Sequence, residues 1–380
     1  SIPNLLNGVS QQPNTVKLPN QSVLQENGLS DIISGLGKRP PSEHIAKLNT
    51  DTFTNSKVHI INRDSSEQYV VLVNDQNLKV YDLAGNAKTV VSPDGVSYLT
   101  STAPQSDFNL VTVADYTFIV NKTKTVAKSG STSAARPDEA IFYVKNGQYK
   151  TTYSIDIDGS NVASYQTLDN SSSGNASSIT TDNIATELYN DLNSNLSGYT
   201  VSRDGSIIYV SKASGTFTTT VSDGLGGDGL ILVKDKTNSF SDLPYKGHTG
   251  FVVEIVGDGG TEFDNYFVKW DGNAWVETVK DGLDNSFDMS TMPHLLIRTA
   301  DGNFRFCKAD GSTYTVSGTQ YTEPEFASRT VGDETTSPVP TFVGRKINDI
   351  FFYRNRLGFL SDENVIFSKA GKFFTFWATT

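Results

Sequence analysis

Short apolar runs broken every few residues by Asn, Asp, Gly or Ser dominate this chain of 380 residues. In the stretch 43–135 they predict strands at Val58–Ile61, Gln68–Val73 and Leu78–Tyr81, because β-branched and aromatic residues cluster there between turn formers. Asp82 to Asn86 carries turn chemistry. A hairpin follows, Asn109–Val113 and Tyr116–Val120, turning at Ala114-Asp115. Lys122 to Ala135 is polar and rich in small residues, and reads as a linker.

The texture changes near Arg136-Pro137. Ile141 to Asn161 reads as a hairpin, with Asn146-Gly147 at its first turn. From Thr180 to Leu196 the period becomes helical: Ile184, Leu188, Leu192 and Leu196 recur every fourth residue on one face. Thr181 or Asp182 caps that helix and Gly198 ends it. Strands are predicted again at Tyr199–Val201, Ser206–Lys212 and Gly215–Val221. Beyond the Gly-rich stretch 223–229 they return at Gly250–Val256, Tyr266–Trp270 and Ala274–Lys280. The stretch 136–330 is therefore expected to be an α+β insert.

In the stretch 331–380 the first texture resumes, with strands at Asp349–Tyr353, Arg356–Leu360 and Asn364–Ser368. Leu72 to Val80 and Phe359 to Phe367 share one plan: an apolar strand, a turn reading Asn/Ser-Asp-Gln/Glu-Asn, and a second strand. This weak internal repeat is of the kind that marks propeller blades of roughly 40–50 residues. About three blades fit outside the insert, too few to close a propeller. The final Phe373 to Thr380 stretch has neither turn nor charged tail, so the chain is expected to continue as part of a larger protein. The expected fold class is mainly β: a propeller-like sheet domain interrupted by an α+β insert.

Composition narrows the function classes. Hydrophobic residues make up 37% and the mean hydropathy is −0.32. No apolar run approaches the roughly 18 residues of a membrane span, so a soluble protein without an export signal of its own is expected. The single cysteine, Cys307, excludes an intrachain disulfide and a thiolate metal cluster, and is expected as a buried small hydrophobe in a strand. A formal net charge of −11 disfavours a sequence-reading nucleic-acid binder, which needs a basic patch. The same surplus suits either plain solubility or a conduit from which DNA is repelled.

Catalytic and metal motifs are missing. No G-x-S-x-G occurs, and His44, His59, His248 and His294 lie far apart. H-E-x-x-H is absent. Two acidic Gly-rich loops, Asp156-x-Asp158-Gly159-x-Asn161 and the stretch Asp258 to Asp264, offer alternating oxygens but do not complete a calcium loop, and read as hairpin turns. Asp223 to Gly229 superficially suggests a phosphate loop without its Gly-Lys-Ser/Thr ending. No cofactor and no metal site is expected, and no catalytic residue. Paired carboxylates for glycoside cleavage follow no sequence rule, so a carbohydrate-binding or carbohydrate-cleaving β-protein (a spike or propeller glycosidase) is the alternative reading.

The first 42 residues form a separate pattern, too punctuated by Gly, Asn and Pro for a long helix or strand. They read as an extended arm over another surface: a neighbouring subunit, or the same one. The arm contains Asn7-Gly8-Val9-Ser10-Gln11-Gln12-Pro13, Asn27-Gly28-Leu29-Ser30-Asp31 and Gly35-Leu36-Gly37-Lys38-Arg39-Pro40-Pro41. Further segments follow in order: Ser239 to Pro244, Trp275 to Thr278, Met292 to Leu295, Ser328 to Asp333, Pro338 to Gly344 and Asp349 to Trp377 with Asn355-Arg356-Leu357-Gly358. Together these resemble the tail nozzle proteins (tail tubular protein B) of short-tailed bacteriophages. Ala327-Ser328 departs from the aromatic often expected ahead of the Arg-x-x-Gly-Asp segment.

The resemblance implies a non-enzymatic structural protein of the virion tail, made in the host cytoplasm. It implies a homo-hexameric tube below the portal and its adaptor ring, contacts with tail fibres, and passage of double-stranded DNA through the lumen without sequence-specific binding. It also implies propeller-like and platform-type domains. Gly8, Gln11, Gln12, Pro13, Lys38, Arg39, Pro40 and Arg356 are its family-signature and assembly candidates. Lys38 and Arg39 are expected to face an acidic neighbour, with Pro40-Pro41 stiffening the exit.

Overall fold

The computed structural model describes residues 5–48, 55–257 and 265–378. The chain is mainly β, with 40% strand and 9% helix. It divides into two units: Ser1–Thr52 with Leu83–Asn86, and Phe53–Asp82 with Ala87–Thr380.

Three sheets stack face to face in the larger unit. The first is an antiparallel meander of Lys57–Asn62, Gln68–Asn74, Asn77–Asp82 and Ala87–Lys88. The middle sheet has five strands, ordered Val90–Val91, Phe304–Cys307, His294–Arg298, Tyr116–Asn121 and Phe108–Val113. The third is a meander of Asp349–Tyr353, Arg356–Ser361 and Asn364–Phe367.

Side-chain alternation explains the stacking. In the middle sheet Phe108, Ile119, Leu296, Phe304 and Phe306 face the first meander's Ile61, Tyr69, Val71, Val73, Leu78 and Val80. The alternate residues Phe118, Val120, Leu295, Ile297 and Cys307 face Ile350, Leu357 and Phe359 of the terminal meander. A strand buried on both faces must be apolar at successive positions, as Phe118-Ile119-Val120 is. Cys307 is fully buried in its strand, and burial raises its thiol pKa.

The middle region enters and leaves through an antiparallel ribbon. The supposed linker is zipped along 127–133 to residues 283–288: Ser133 N–H donates to Leu283 O at 2.8 Å and Asp288 N–H to Ala127 O at 2.9 Å. Between these two threads lie three sheets and the long helix. One sheet runs Tyr199–Asp204, Ile207–Lys212, Asp138–Val144, Leu230–Val233. On one face Ala140, Phe142, Val144, Ile208 and Val210 meet the helix and the small sheet of Ser160–Gln166, Thr152–Ile157 and Thr219–Ser222. On the other, Ile141, Ile207, Tyr209 and Val233 meet the sheet that contains Val252–Ile255 and Tyr266–Trp270.

The helix spans Thr181–Asn195, with Ile184, Leu188 and Leu192 fully buried. Its cap is Thr180, one residue ahead of the expected candidates, whose side chain accepts from Asn183 N–H. Gly198 follows with a left-handed φ of 82°.

Two local expectations are corrected. Asp138–Val144 does not pair with Thr152–Ile157, so Asn146-Gly147 is no hairpin turn; the hairpin turns at Asp158-Gly159. Gly147 answers to packing instead, because a Cβ there would lie 1.8 Å from Ile179 O. Strands His294–Arg298 and Phe304–Cys307, within the stretch assigned to the insert, pair with Tyr116–Asn121 and belong to the middle sheet. The described strands close into no barrel or propeller.

Candidate assembly surface

In the arm, Gly8 has a φ of 67° and its carbonyl accepts from Ser22 N–H at 2.8 Å. Val9 pairs with Ser22 in a parallel bridge. Gln11, Gln12 and Pro13 are exposed. Pro13 O accepts from Val16 N–H at 3.0 Å and Lys17 N–H at 3.1 Å, which turns the chain back.

Within the arm, which has no long helix or strand among its described residues, Gly28–Asp31 and Gly35–Lys38 form a short antiparallel hairpin. Arg39 closes its open end: its N–H donates to Asn27 O at 2.9 Å and its Nε to Asn27 Oδ1 at 2.7 Å. Part of that guanidinium is therefore committed within the arm. Pro40 is exposed and its carbonyl accepts from Arg39 Nη1 at 3.3 Å. Lys38 is exposed at the hairpin's edge.

Arg356 lies in the other unit, at the start of its strand and opposite Tyr353. The connecting turn is Arg354-Asn355, both left-handed with φ of 46° and 59°, the pattern of a type I′ hairpin turn. Gly358 is dictated by a ring: a Cβ there would stand 2.4 Å from Phe351 Cζ. The fold thus accounts for Asn355, Leu357 and Gly358, and leaves Arg356 exposed.

Strand alternation exposes an unusual surface. In the terminal meander Ile350, Leu357, Phe359 and Ile366 point into the core. The opposite face carries Phe351, Tyr353, Leu360, Val365 and Phe367, with Tyr353 54% and Val365 58% exposed. The first meander presents Val58 and Ile60 on its outer face, 57% and 63% exposed, but Leu72 and Tyr81 on that same face are buried. Antiparallel sheets with one solvated face ordinarily turn polar side chains outward. The terminal meander does not.

Elsewhere several polar clusters are committed within the chain. Asp223, 3% exposed, accepts four backbone N–H bonds: from Leu225 and Gly227 on Oδ1, at 2.8 and 3.2 Å, and from Gly229 and Leu230 on Oδ2, at 2.6 and 3.0 Å. The apparent phosphate loop is a nest already filled by the chain's own carboxylate. Burial pushes the Asp223 pKa up, but those amides outweigh it and hold the carboxyl below its usual range.

Asp156 and Asn161 bond each other at 2.8 Å, and Asp158 accepts from Thr218 N–H at 2.9 Å, so that loop is a hairpin turn. The loop from Asp258 to Asp264 lies outside the described residues. Among the described residues no cluster of three or more His, Cys, Asp or Glu has metal-holding geometry.

A cleft of about 550 Å³ is lined by Arg136, Asp138, Glu139, Glu254 and Lys280. Its buried carboxylates are paired: Arg136 forks onto Glu139 at 3.0 and 2.8 Å, and Lys234 binds Asp138. Tyr209 also donates to Glu139 at 2.6 Å, and its phenol pKa is pushed up to about 12, by burial first and then by that carboxylate. His248 stacks on Tyr209 with centroids 3.7 Å apart. His294, 4% exposed, stacks on Tyr98 at 3.8 Å and bonds Met292 O; burial lowers its pKa to about 4.

Arg329 was not singled out by sequence reasoning. Only 2% exposed, it lies over the Trp377 ring at 4.8 Å and donates to Glu334. The only sequence signal was its place in the Arg-x-x-Gly-Asp segment.

The described residues thus comprise three stacked sheets, an inserted α+β region and an arm. The bacteriophage nozzle protein family model matches residues 1–380, and the chain belongs to that family. It is similar to the tail tubular protein gp12 of Escherichia phage T7, with 37% identity over 390 residues, covering 99% of this chain and 47% of that protein. The chain thus spans about half the length of this curated relative.

Proposed function

We propose that this chain is part of a structural subunit of a phage tail nozzle. Six copies form a tube attached below the portal and adaptor ring, dock tail fibres and conduct double-stranded DNA during ejection. The observation that carries the reading is the apolar outer face of the terminal meander. That face needs a further sheet against it, as a successive propeller blade supplies, so the three stacked sheets read as an arc of an incomplete propeller.

The net charge of −11 supports the conduit: a wall of like sign keeps DNA from adsorbing while it slides. Negative-stain imaging of the purified protein tests the reading. A six-fold ring with an open centre is expected; a monomer at micromolar concentration would overturn it.

A further inference from the structure

The tip of the arm hairpin presents the two most exposed large apolar side chains among the described residues, Ile32 at 90% and Ile33 at 96%. They do not dangle. Asp31 Oδ1 accepts from Ile33 N–H at 2.8 Å, from Ser34 N–H at 2.8 Å and from Ser34 Oγ at 3.0 Å, locking the turn between the strands. The Arg39–Asn27 bonds lock the other end. A two-stranded hairpin with strands of four residues is marginal in water on its own. Leu29 and Leu36, on its strands, are also exposed, at 56% and 41%. The element is ordered in shape yet lacks an apolar partner, the condition of a preformed plug.

Charge indicates the kind of partner. Residues 5–48 hold four basic and three acidic side chains, so the remainder of the chain carries twelve surplus negative charges. Lys38 and Arg39 place two of the basic groups together at the hairpin base. An acidic body with a faintly basic arm is complementary to itself, and a head-to-tail contact in which every copy gives an arm and receives one closes naturally into a ring.

We infer that Ile32 and Ile33 insert into a neighbouring copy of this chain, with Lys38 beside its acidic surface. The inference rests on the nozzle reading and adds the residues that join one subunit to the next. The test places the photocrosslinker p-benzoylphenylalanine at position 33 and irradiates an equal mixture of copies labelled with light and heavy nitrogen. Crosslinked peptides of mixed isotope are expected. Crosslinks confined to one isotope would mean that the arm packs on its own chain, and would overturn the inference. So would the absence of crosslinks, or, in assembled tails, crosslinks only to a different protein.

In parallel, Ile32→Asp with Ile33→Asp should leave the melting of the body unchanged and raise the dissociation constant of the ring at least about tenfold, since one buried isoleucine is worth that much. Rings of unchanged affinity sink the plug and leave the nozzle reading intact. A wild-type chain that never oligomerises sinks both.

Discussion

The helix of the middle region and the hairpin of the arm both carry aliphatic side chains, and treat them in opposite ways. Thr181–Asn195 buries Ile184, Leu188 and Leu192 completely against two sheets. The arm leaves Ile32 and Ile33 almost wholly in water. The outer face of the terminal meander falls on the arm's side of this divide. One class of surface is finished by the chain itself; the other is shaped by it and left uncovered. Exposed apolar surface of that kind is where association is expected, because only there does burial remain to be gained.

Mutations at finished surfaces should cost stability, and those at uncovered ones should cost association. The largest effect is expected from Leu188→Ala, which leaves a cavity under the helix and should cost about 3 to 4 kcal/mol in urea unfolding. A cost below about 1 kcal/mol would mean that the helix is not finished as described.

His294 comes next. Its folded pKa of about 4 is below the usual unfolded value of about 6.5. Its contribution is therefore fully present above the unfolded value and is lost as pH falls through the folded one. Up to about 3 kcal/mol should disappear between those limits, and His294→Gln should flatten the stability profile there. An unchanged slope in the variant would remove the buried neutral imidazole from the account.

Asp223→Ala should cost about 2 kcal/mol by stranding the amides of the loop, two of which are buried. Its carboxyl is also depressed, so its contribution holds above the unfolded pKa of about 3.9 and fades as pH drops below it. Equal acid sensitivity of wild type and variant would contradict this. Thr180→Ala removes the helix cap and should cost about 1 kcal/mol by thermal melting.

The smallest effect on the isolated chain is the sharpest test of the comparison. Val365→Thr, on the uncovered face, should change its unfolding free energy by less than about 0.5 kcal/mol. The same change should lower the dissociation temperature of assembled rings. Parallel losses in both would show that this face is already covered within one chain.

Much of the β architecture was legible because half-buried strands alternate. Val58–Ile61, Gln68–Val73, Leu78–Tyr81 and the three terminal strands lie within a residue or so of their observed bounds. The helix was legible because its contacts recur every fourth residue. Leu230–Val233, His294–Arg298 and Phe304–Cys307 were not, since elements of four or five residues are too short to show a period of their own. The hairpin of Thr313–Val316 and Thr319–Thr322 was also missed, although its Thr and Tyr residues and the Ser317-Gly318 turn are strand and hairpin signals.

The repeat in the two meanders shows the same limit. Both have two-residue turns, at Asp75-Gln76 and Asp362-Glu363. The left-handed residue is Gln76 in the first and Asp362 in the second, so similar letters take different turn geometries. Of the candidate residues, Gly8 and Arg39 acquire definite local roles in the arm, while Gln11, Gln12, Lys38 and Arg356 remain exposed.

By itself the sequence determined what depends on neighbours along the chain: strand and helix periods, turn positions, the absence of catalytic spacing, the acidic balance and the family. Only the tertiary structure decided which strands share a sheet, that Asp223 fills its own nest, and which apolar faces stay bare. Those outcomes depend on residues far apart in sequence meeting in space. His294 pairing with Ile119 is one such meeting, and no local pattern encodes it.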